Sequence, residues 1–383
     1  MGLAPKVSII LPCFNEEASI TTYLQAIRSV ITAERLDAEI IVINNNSTDG
    51  STHILAHEEI QDPRLRVIHE GRQGYGFAYM RGLEEARGEL LLLVDFDESY
   101  AATDIPLLLD ALIAGADLAL GNRFSGAMHT HAMPRLHRYI GNPLLSFLMR
   151  RFFGTNVRDT HCGLRAITRS AYKQLNLVTG GMEFASEMII KAVRAKLTIQ
   201  EVPVRYHPRT GTSKLRSFRD GWRHLRFMLL YSPLYLFLVP GVCAVVLGGF
   251  LMVFLYAGKL SILGTHFIVH PMFVASLLLI VGYQLITFAG FAKAYAFTHL
   301  GERTPFLERF FARYSLEHAA LLGVAGIAIG FLLYCFILYK WILSDFGSLD
   351  EIKNAVLGLT LMVLGIQTIS AAFMTSMLGI AER

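Results

Sequence analysis

Four long apolar stretches fill the second half of the chain: Leu229 to Tyr256, Pro271 to Ala292, Ala319 to Leu338 and Ala355 to Ile380. Each approaches or exceeds the ~20 residues that an α-helix needs to cross a bilayer. Residues 229–383 are therefore expected to form a four-helix transmembrane domain. The preceding residues carry mixed charge, so the overall 53% hydrophobic and 17% charged residues describe a soluble domain joined to a membrane domain. Four spans return the chain to the side on which it started. The link between the second and third holds Arg303, Arg309 and Arg313, against Lys259, Lys340 and Lys353 on the opposite side, and this bias places the first domain in the cytoplasm. The run Val7 to Leu11 is too short for a signal-peptide core and is followed at once by Pro12, so no export signal is expected.

A formal net charge of +4 is too small to suggest nucleic acid as a partner. The basic residues gather just before the first apolar block. Cys13, Cys162, Cys243 and Cys335 are far apart, which argues against disulfides and structural zinc.

In the first domain, short β-rich runs alternate with helix-like segments. The runs are Val7 to Cys13, Glu39 to Ile43, Leu65 to Ile68, Leu90 to Val94 and Leu118 to Leu120; the helical segments include Ser19 to Ala33 and Thr52 to Ile60. This rhythm predicts an α/β domain with a mostly parallel, Rossmann-like sheet covered by helices. Ligands of such sheets bind beyond the carboxyl ends of the strands, and the polar clusters fall there: Asn15-Glu16-Glu17, Asn44 to Gly50, Gly71 to Gly76, Asp95-Phe96-Asp97 and Gly121-Asn122-Arg123. Pro134 to Phe153 and Ser213 to Phe227 interleave apolar residues with arginines at helical spacing, as interfacial helices do. A basic face that merely touches anionic head groups is the plainer alternative. The domains are accordingly 1–212, a juxtamembrane helix 213–228, and 229–383.

The sharpest chemical signal is Asp95-Phe96-Asp97 after the apolar run Leu90 to Val94. Alternation along an extended chain puts both carboxylates on one side. Paired carboxylates suit Mg²⁺ or Mn²⁺ shared with a diphosphate, while an isolated Asp-x-Asp reads equally well as a turn cap.

The ordered set Leu11-Pro12-Cys13-Phe14-Asn15-Glu16-Glu17, Asn45 to Gly50, Arg72-Gln73-Gly74-Tyr75-Gly76 and Asp95-Phe96-Asp97-Glu98-Ser99 resembles the nucleotide-sugar domain of glycosyltransferase family 2. Gly121-Asn122-Arg123, Asp159 to Arg165, Glu183-Phe184 with Glu187, and Arg209 to Leu215 look like its branch of dolichyl-phosphate mannose synthases and bacterial polyprenyl-phosphate glucosyltransferases. The resemblance covers residues 5 to about 230.

It implies a GT-A fold and inverting transfer of one hexose to a polyprenyl phosphate. UDP-glucose is the first donor expected and GDP-mannose the second. Pro12, Phe14, Asn15, Glu16, Asn44, Asn45, Asp49, Arg72, Gly74, Asp95 and Phe96 would serve the nucleotide, with Asn44 standing where the family has aspartate and Asp49 doubling as a helix cap. Asp95, Asp97 and Ser99 would hold the metal. Arg123, Arg138, Asn142, Arg209 and Lys214 would hold the acceptor phosphate, Arg138 and Asn142 sharing a helix face at i and i+4. Asp159, Arg165 and Glu183 would meet the sugar; Asp159 with Arg165 as an ion pair, and Glu183 with Glu187 as supports, stay open. Among these, Asp95, Asp97, Arg123, Asp159, Arg209 and Lys214 are the candidate catalytic set.

The histidines, His129, His131, His137 and His161 among them, form no metal-binding motif and read as loop or interface residues. A processive polysaccharide synthase is a rival, but the Gln-x-x-Arg-Trp motif it would carry is missing from the sequence. A non-catalytic membrane scaffold is a second rival, and a homo-oligomer stays open.

Overall fold

The computed structural model describes residues 5–209, 217–258, 261–262, 265–266, 270–299 and 316–378. It divides after Met228 into two compact units.

The first unit is built on a seven-stranded sheet: β1 (Val7–Cys13), β2 (Ala38–Asn44), β3 (Leu65–His69), β4 (Leu90–Leu93), β5 (Leu118–Asn122), β6 (Arg165–Thr168) and β7 (Ile199–Pro203). Their order is β3-β2-β1-β4-β6-β5-β7. All neighbours run parallel except β6, which is antiparallel to both β4 and β5. The mostly parallel sheet expected from the sequence is present, with β6 and β7 as additions. β1 and β2 are buried along almost their whole length, as strands covered on both faces must be. Helix α1 (Ile20–Ala33) covers one face through Ile20, Tyr23, Leu24, Ile27, Val30 and Ile31, a spacing that lines up one helical stripe. Helices α2 (Ser51–Gln61), α3 (Tyr75–Glu85), α4 (Ile105–Ile113), α5 (Asn142–Phe153), α6 (Arg169–Leu175) and α7 (Phe184–Arg194) follow.

A buried acid locks the start of the sheet. Glu39 on β2 accepts the Ser8 hydroxyl at 2.7 Å, the Arg87 N–H at 2.6 Å and Arg66 Nη1 at 3.1 Å, while Ser8 Oγ accepts the Gly88 N–H. One carboxylate thus fixes β1, β2, β3 and the turn into β4.

The segment expected as one helix from Pro134 to Phe153 is interrupted by a π turn, His137–Gly141, before α5 begins. In the juxtamembrane segment, helix α8 spans Ser217–Tyr231; Lys214 and the rest of 213–216 lie outside the described residues, as do Arg303, Arg309 and Arg313.

The second unit contains α9 (Val239–Tyr256), preceded by a π turn at Leu234–Leu238, then α10 (His270–His299), α11 (Leu316–Leu343) and α12 (Ile352–Leu378). Among the described residues, four helical spans are long and apolar enough to cross a membrane. Glycines let backbones approach: Gly241 meets Gly282, and Gly323 meets Gly365, the small-residue packing that helices use in lipid. Hydrogen bonds join α10 to α12 at Ser276–Thr360 (2.7 Å), Tyr283–Thr368 (2.8 Å) and Gln284–Gln367 (2.9 Å).

Glu39→Ala strips partners from several buried donors, so it should destabilise the first unit by about 2–4 kcal/mol. A lowered melting temperature of the full chain in detergent is the readout.

Candidate active site

Strands β2 and β3 continue outward from one side of β1, and β4 lies on its other side. The chain therefore reverses its direction of sheet growth between β1 and β4, and such a switch point opens a crevice at the strand ends. A cavity of about 430 Å³ lies there, walled by Pro12 near the end of β1, Phe14 and Glu16 after it, Asn45 after β2, and Asp95 and Asp97 after β4. A second cavity of about 580 Å³ adjoins it. Tyr75, Asp95, Asp97, Met182, Arg209 and Asp220 line both.

The two acids of the Asp-x-Asp are held differently. Asp95 Oδ1 accepts the hydroxyls of Tyr75 at 3.1 Å and Tyr79 at 2.9 Å, two residues one turn apart on α3. Its other oxygen packs against Gly163, where any Cβ would collide with it. Burial, then the charge of Asp97, pushes the Asp95 carboxyl up to about 6 against the pull of the two tyrosines. Asp97 Oδ1 accepts the Ser99 N–H at 3.0 Å, and its Oδ2 lies 3.3 Å from Arg209. Ser99 is buried, with its N–H given to Asp97 and its carbonyl accepting the His207 N–H. Among the described residues no group of three or more His, Cys, Asp or Glu forms a ready metal cage. Two crowded carboxylates whose repulsion a cation relieves still fit an ion that completes its shell with phosphate oxygens and water.

Several candidates turn out to serve the scaffold. Arg123 forks onto Asp159, Nε to Oδ2 and Nη2 to Oδ1 at 2.7 Å each, and its backbone N–H adds a third bond. Both are buried, so Asp159 pairs with Arg123 and not with Arg165. Arg165 spends its guanidinium on the carbonyls of Cys162, Thr160 and Ala185. Asn44 accepts the Ser47 N–H and donates to Thr52, shaping its loop instead of lining the cavity. Asp49 accepts the N–H groups of Ser51 and Glu17. Arg72 is absorbed by Glu70 and stacks over Phe77. Asn15, at positive φ, ties its loop to Thr48. Asn45 clamps the loop after β3 by donating to the Glu70 and Arg72 carbonyls and accepting the Gly74 N–H.

Gly74 and Gly76 do permit close backbone approach, but to the carbonyls of Gly180 and Thr179. Glu187 holds that second loop by accepting Val178 N–H, Thr179 N–H and the Thr179 hydroxyl. Glu183 occupies the N-cap position of α7 with Oε2 buried and without a hydrogen-bond partner. The π turn separates Arg138 from Asn142: Asn142 lines the second cavity and reaches Met133 Sδ, whereas Arg138 lies over the Tyr139 ring.

The sequence reading missed the contribution of α8. Asp220 and Arg223 line the first cavity, and Asp220 and His224 the second; the i, i+3, i+4 spacing of these polar residues on one helix face was the available signal. His224 Nδ1 lies 2.8 Å from Ser186 Oγ, and its ring meets His161 edge-on at 4.4 Å. His161 Nδ1 faces Thr160 Oγ1, which in turn faces Ser146 Oγ. Burial and the charge of Arg165 lower His224 to about 4, and burial with its neighbour's charge also lowers His161.

A GT-A nucleotide-sugar fold with an apolar helical membrane unit is the class that this architecture defines. Residues 8–175 match the glycosyl transferase family 2 model and residues 290–379 match the glycosyltransferase family 2 C-terminal transmembrane region. A low-salt glycan biosynthesis hexosyltransferase of Haloferax volcanii is 35% identical over 98% of this chain and 90% of its own length. A dolichyl-phosphate hexose transferase of the same organism is 28% identical over 56% of this chain and 89% of its own. Glucosyl-3-phosphoglycerate synthase of Mycobacterium tuberculosis superposes with a TM-score of 0.48 and 21% identity, covering 60% of this chain and 80% of that one. The chain belongs to glycosyltransferase family 2.

Two outcomes test this site. Asp159→Ala leaves the Arg123 charge buried and unpaired and should cost about 3–5 kcal/mol, read as a loss of melting temperature. His224 is neutral in the fold, with its pKa depressed from 6.5 to about 4, so below 6.5 the unfolded chain takes up a proton that the folded chain refuses. Stability should fall as pH drops from 6.5 toward 4, by on the order of 3 kcal/mol, and His224→Asn should flatten that part of the melting-temperature profile.

Proposed function

We propose that this family 2 enzyme transfers a single hexose, with inversion, from a nucleotide-sugar to the phosphate of a polyprenyl-phosphate lipid. The observation that carries the reading is the pair of adjoining cavities with the Asp-x-Asp in their common wall. The first cavity offers Pro12, Phe14 and Glu16 to a nucleoside, with Glu16 accepting ribose hydroxyls. UDP-glucose is the preferred donor and GDP-mannose the second. The other cavity is bordered by the π turn and α5, whose neighbourhood exposes Leu136, Tyr139, Ile140, Leu144 and Phe147. Apolar residues beside arginines suit a surface that rests in a lipid interface. The relatives named for dolichyl-phosphate acceptors support the same substrate class. The membrane in question is the cytoplasmic membrane, with the catalytic unit and both termini on the cytoplasmic side.

Asp97 and Asp95 would hold Mg²⁺ or Mn²⁺, which when bound neutralises charge on the departing nucleoside diphosphate. Asp95 is fixed by Tyr75 and Tyr79, leaving Asp97 as the adaptable ligand. No side chain has to remove a proton from the acceptor, because a phosphate monoester with a second pKa of about 6 is already anionic at neutral pH. Arg209 and Asn142 then orient that phosphate, and the low-dielectric walls strengthen their hold. Arg123 lines the same cavity with its charge already paired to Asp159, which fixes the shape of that wall.

Purified protein, given labelled nucleotide-sugars and polyprenyl phosphate, should make one acid-labile lipid-linked sugar, and EDTA should stop it. Asp97→Asn should lower turnover at least about 100-fold with an unchanged melting temperature. Full activity in EDTA, or in that variant, would defeat the assignment.

A further inference from the structure

Arg209 stands in the wall common to the two cavities. One terminal nitrogen, Nη2, lies 3.3 Å from Glu16 Oε1 and 3.3 Å from Asp97 Oδ2. Charge-assisted N–H···O bonds close to about 2.7–2.9 Å where geometry allows, so a single nitrogen divided between two acids is fully bonded to neither. Its Nε is sealed from solvent and has no hydrogen-bond acceptor. Arg123, forked onto Asp159 with both bonds at 2.7 Å, shows what a committed arginine looks like in the same unit. Arg209 is held by the charge of its neighbours and not by a fitted socket.

We propose that Arg209 is a resident counter-cation: its guanidinium supplies positive charge at Asp97 until a divalent ion arrives there and displaces it. This rests on the reading of Asp97 as an ion ligand. Before displacement the guanidinium is neutralised by Glu16 and Asp97, and the second cavity draws little on its charge. Once those acids are taken up by ribose and ion, the same side chain is free to face the second cavity, whose wall it already forms.

The test is Mn²⁺ binding to the full chain in detergent, without nucleotide, followed by the paramagnetic resonance of the free ion. Arg209→Gln should bind Mn²⁺ at least about fivefold more tightly than the unsubstituted chain, since a like charge no longer has to be expelled. Arg223→Gln removes a positive charge from the same cavity wall, where it pairs loosely with Asp220 at 3.9 Å, and should change the affinity less than about twofold by screening through solvent. Unaltered affinity in Arg209→Gln overturns the proposal, and so does equal tightening in Arg223→Gln, which would mark a general field. Asp97→Asn separates the two readings. If that variant binds Mn²⁺ as the unsubstituted chain does, the metal assignment falls together with the counter-cation. If it loses the ion while Arg209→Gln shows no gain, only the counter-cation falls. Melting temperatures of the three variants verify that each is folded.

Discussion

Parallel pairing of β1 with β2 on one side and β4 on the other is the constraint from which the site follows. Register carries Val7 to Ala38 and Leu90, so β1 and β2 end side by side at Cys13 and Asn44 while β4 stops opposite Ile10, and the segments that follow bring Phe14, Asn45 and Asp95 to one cavity. Parallel strands require crossovers that cover the sheet, and the covering helices bury β1 and β2 almost completely. Polar side chains can leave such a sheet only at its ends. The cavity is therefore a product of topology, and the strand ends deliver Asn45, Asp95 and Asp97 to a wall that also holds Pro12, Phe14 and Met182.

Within that crevice, charge is sorted by how firmly it is held. The Arg123–Asp159 pair is buried and doubly hydrogen-bonded; such a pair fixes position because removing either partner strands the other. Asp95, between two tyrosine hydroxyls, is immobile but electrostatically unrelieved. Asp97 and Arg209 meet through a single 3.3 Å contact.

Much of this was legible in the sequence where one segment alone carries the information. Leu90 to Val94 followed by two aspartates announces a buried strand delivering acids, and the four apolar stretches announce spans, because hydrophobicity there outweighs every other local signal. β6 escaped notice because Arg165–Thr168 is four residues long, starts with arginine and pairs antiparallel after a long excursion. β7 escaped because Ile199–Pro203 is a half-exposed edge with Gln200 and Glu201 in it. The roles of Asp159, Asn44 and Arg72 were hidden for a different reason. A carboxylate, an amide and a guanidinium look the same in a string whether they face a ligand or a backbone N–H, and only the partner decides. Tyr75 and Tyr79, like His224 on α8, enter the site from helix faces whose orientation depends on packing. Their i, i+4 and i, i+3, i+4 spacings were the visible trace.

The three hydrogen bonds between α10 and α12 fall at Ser276, Tyr283 and Gln284 on one helix and Thr360, Thr368 and Gln367 on the other. Ser276 pairs with Thr360, and Tyr283 and Gln284, seven and eight residues on, pair with Thr368 and Gln367, which lie eight and seven residues on. The two helices therefore run in the same direction, and the bonds fall at two levels about two turns apart. Apolar packing in hydrocarbon is tolerant of sliding, since lipid tails and leucines attract alike. A polar ladder is not: a shift of one residue, about 1.5 Å along the axis, would part all three rungs at once. The ladder therefore acts as a vernier scale, reading out a single axial alignment from surfaces that would otherwise accept many.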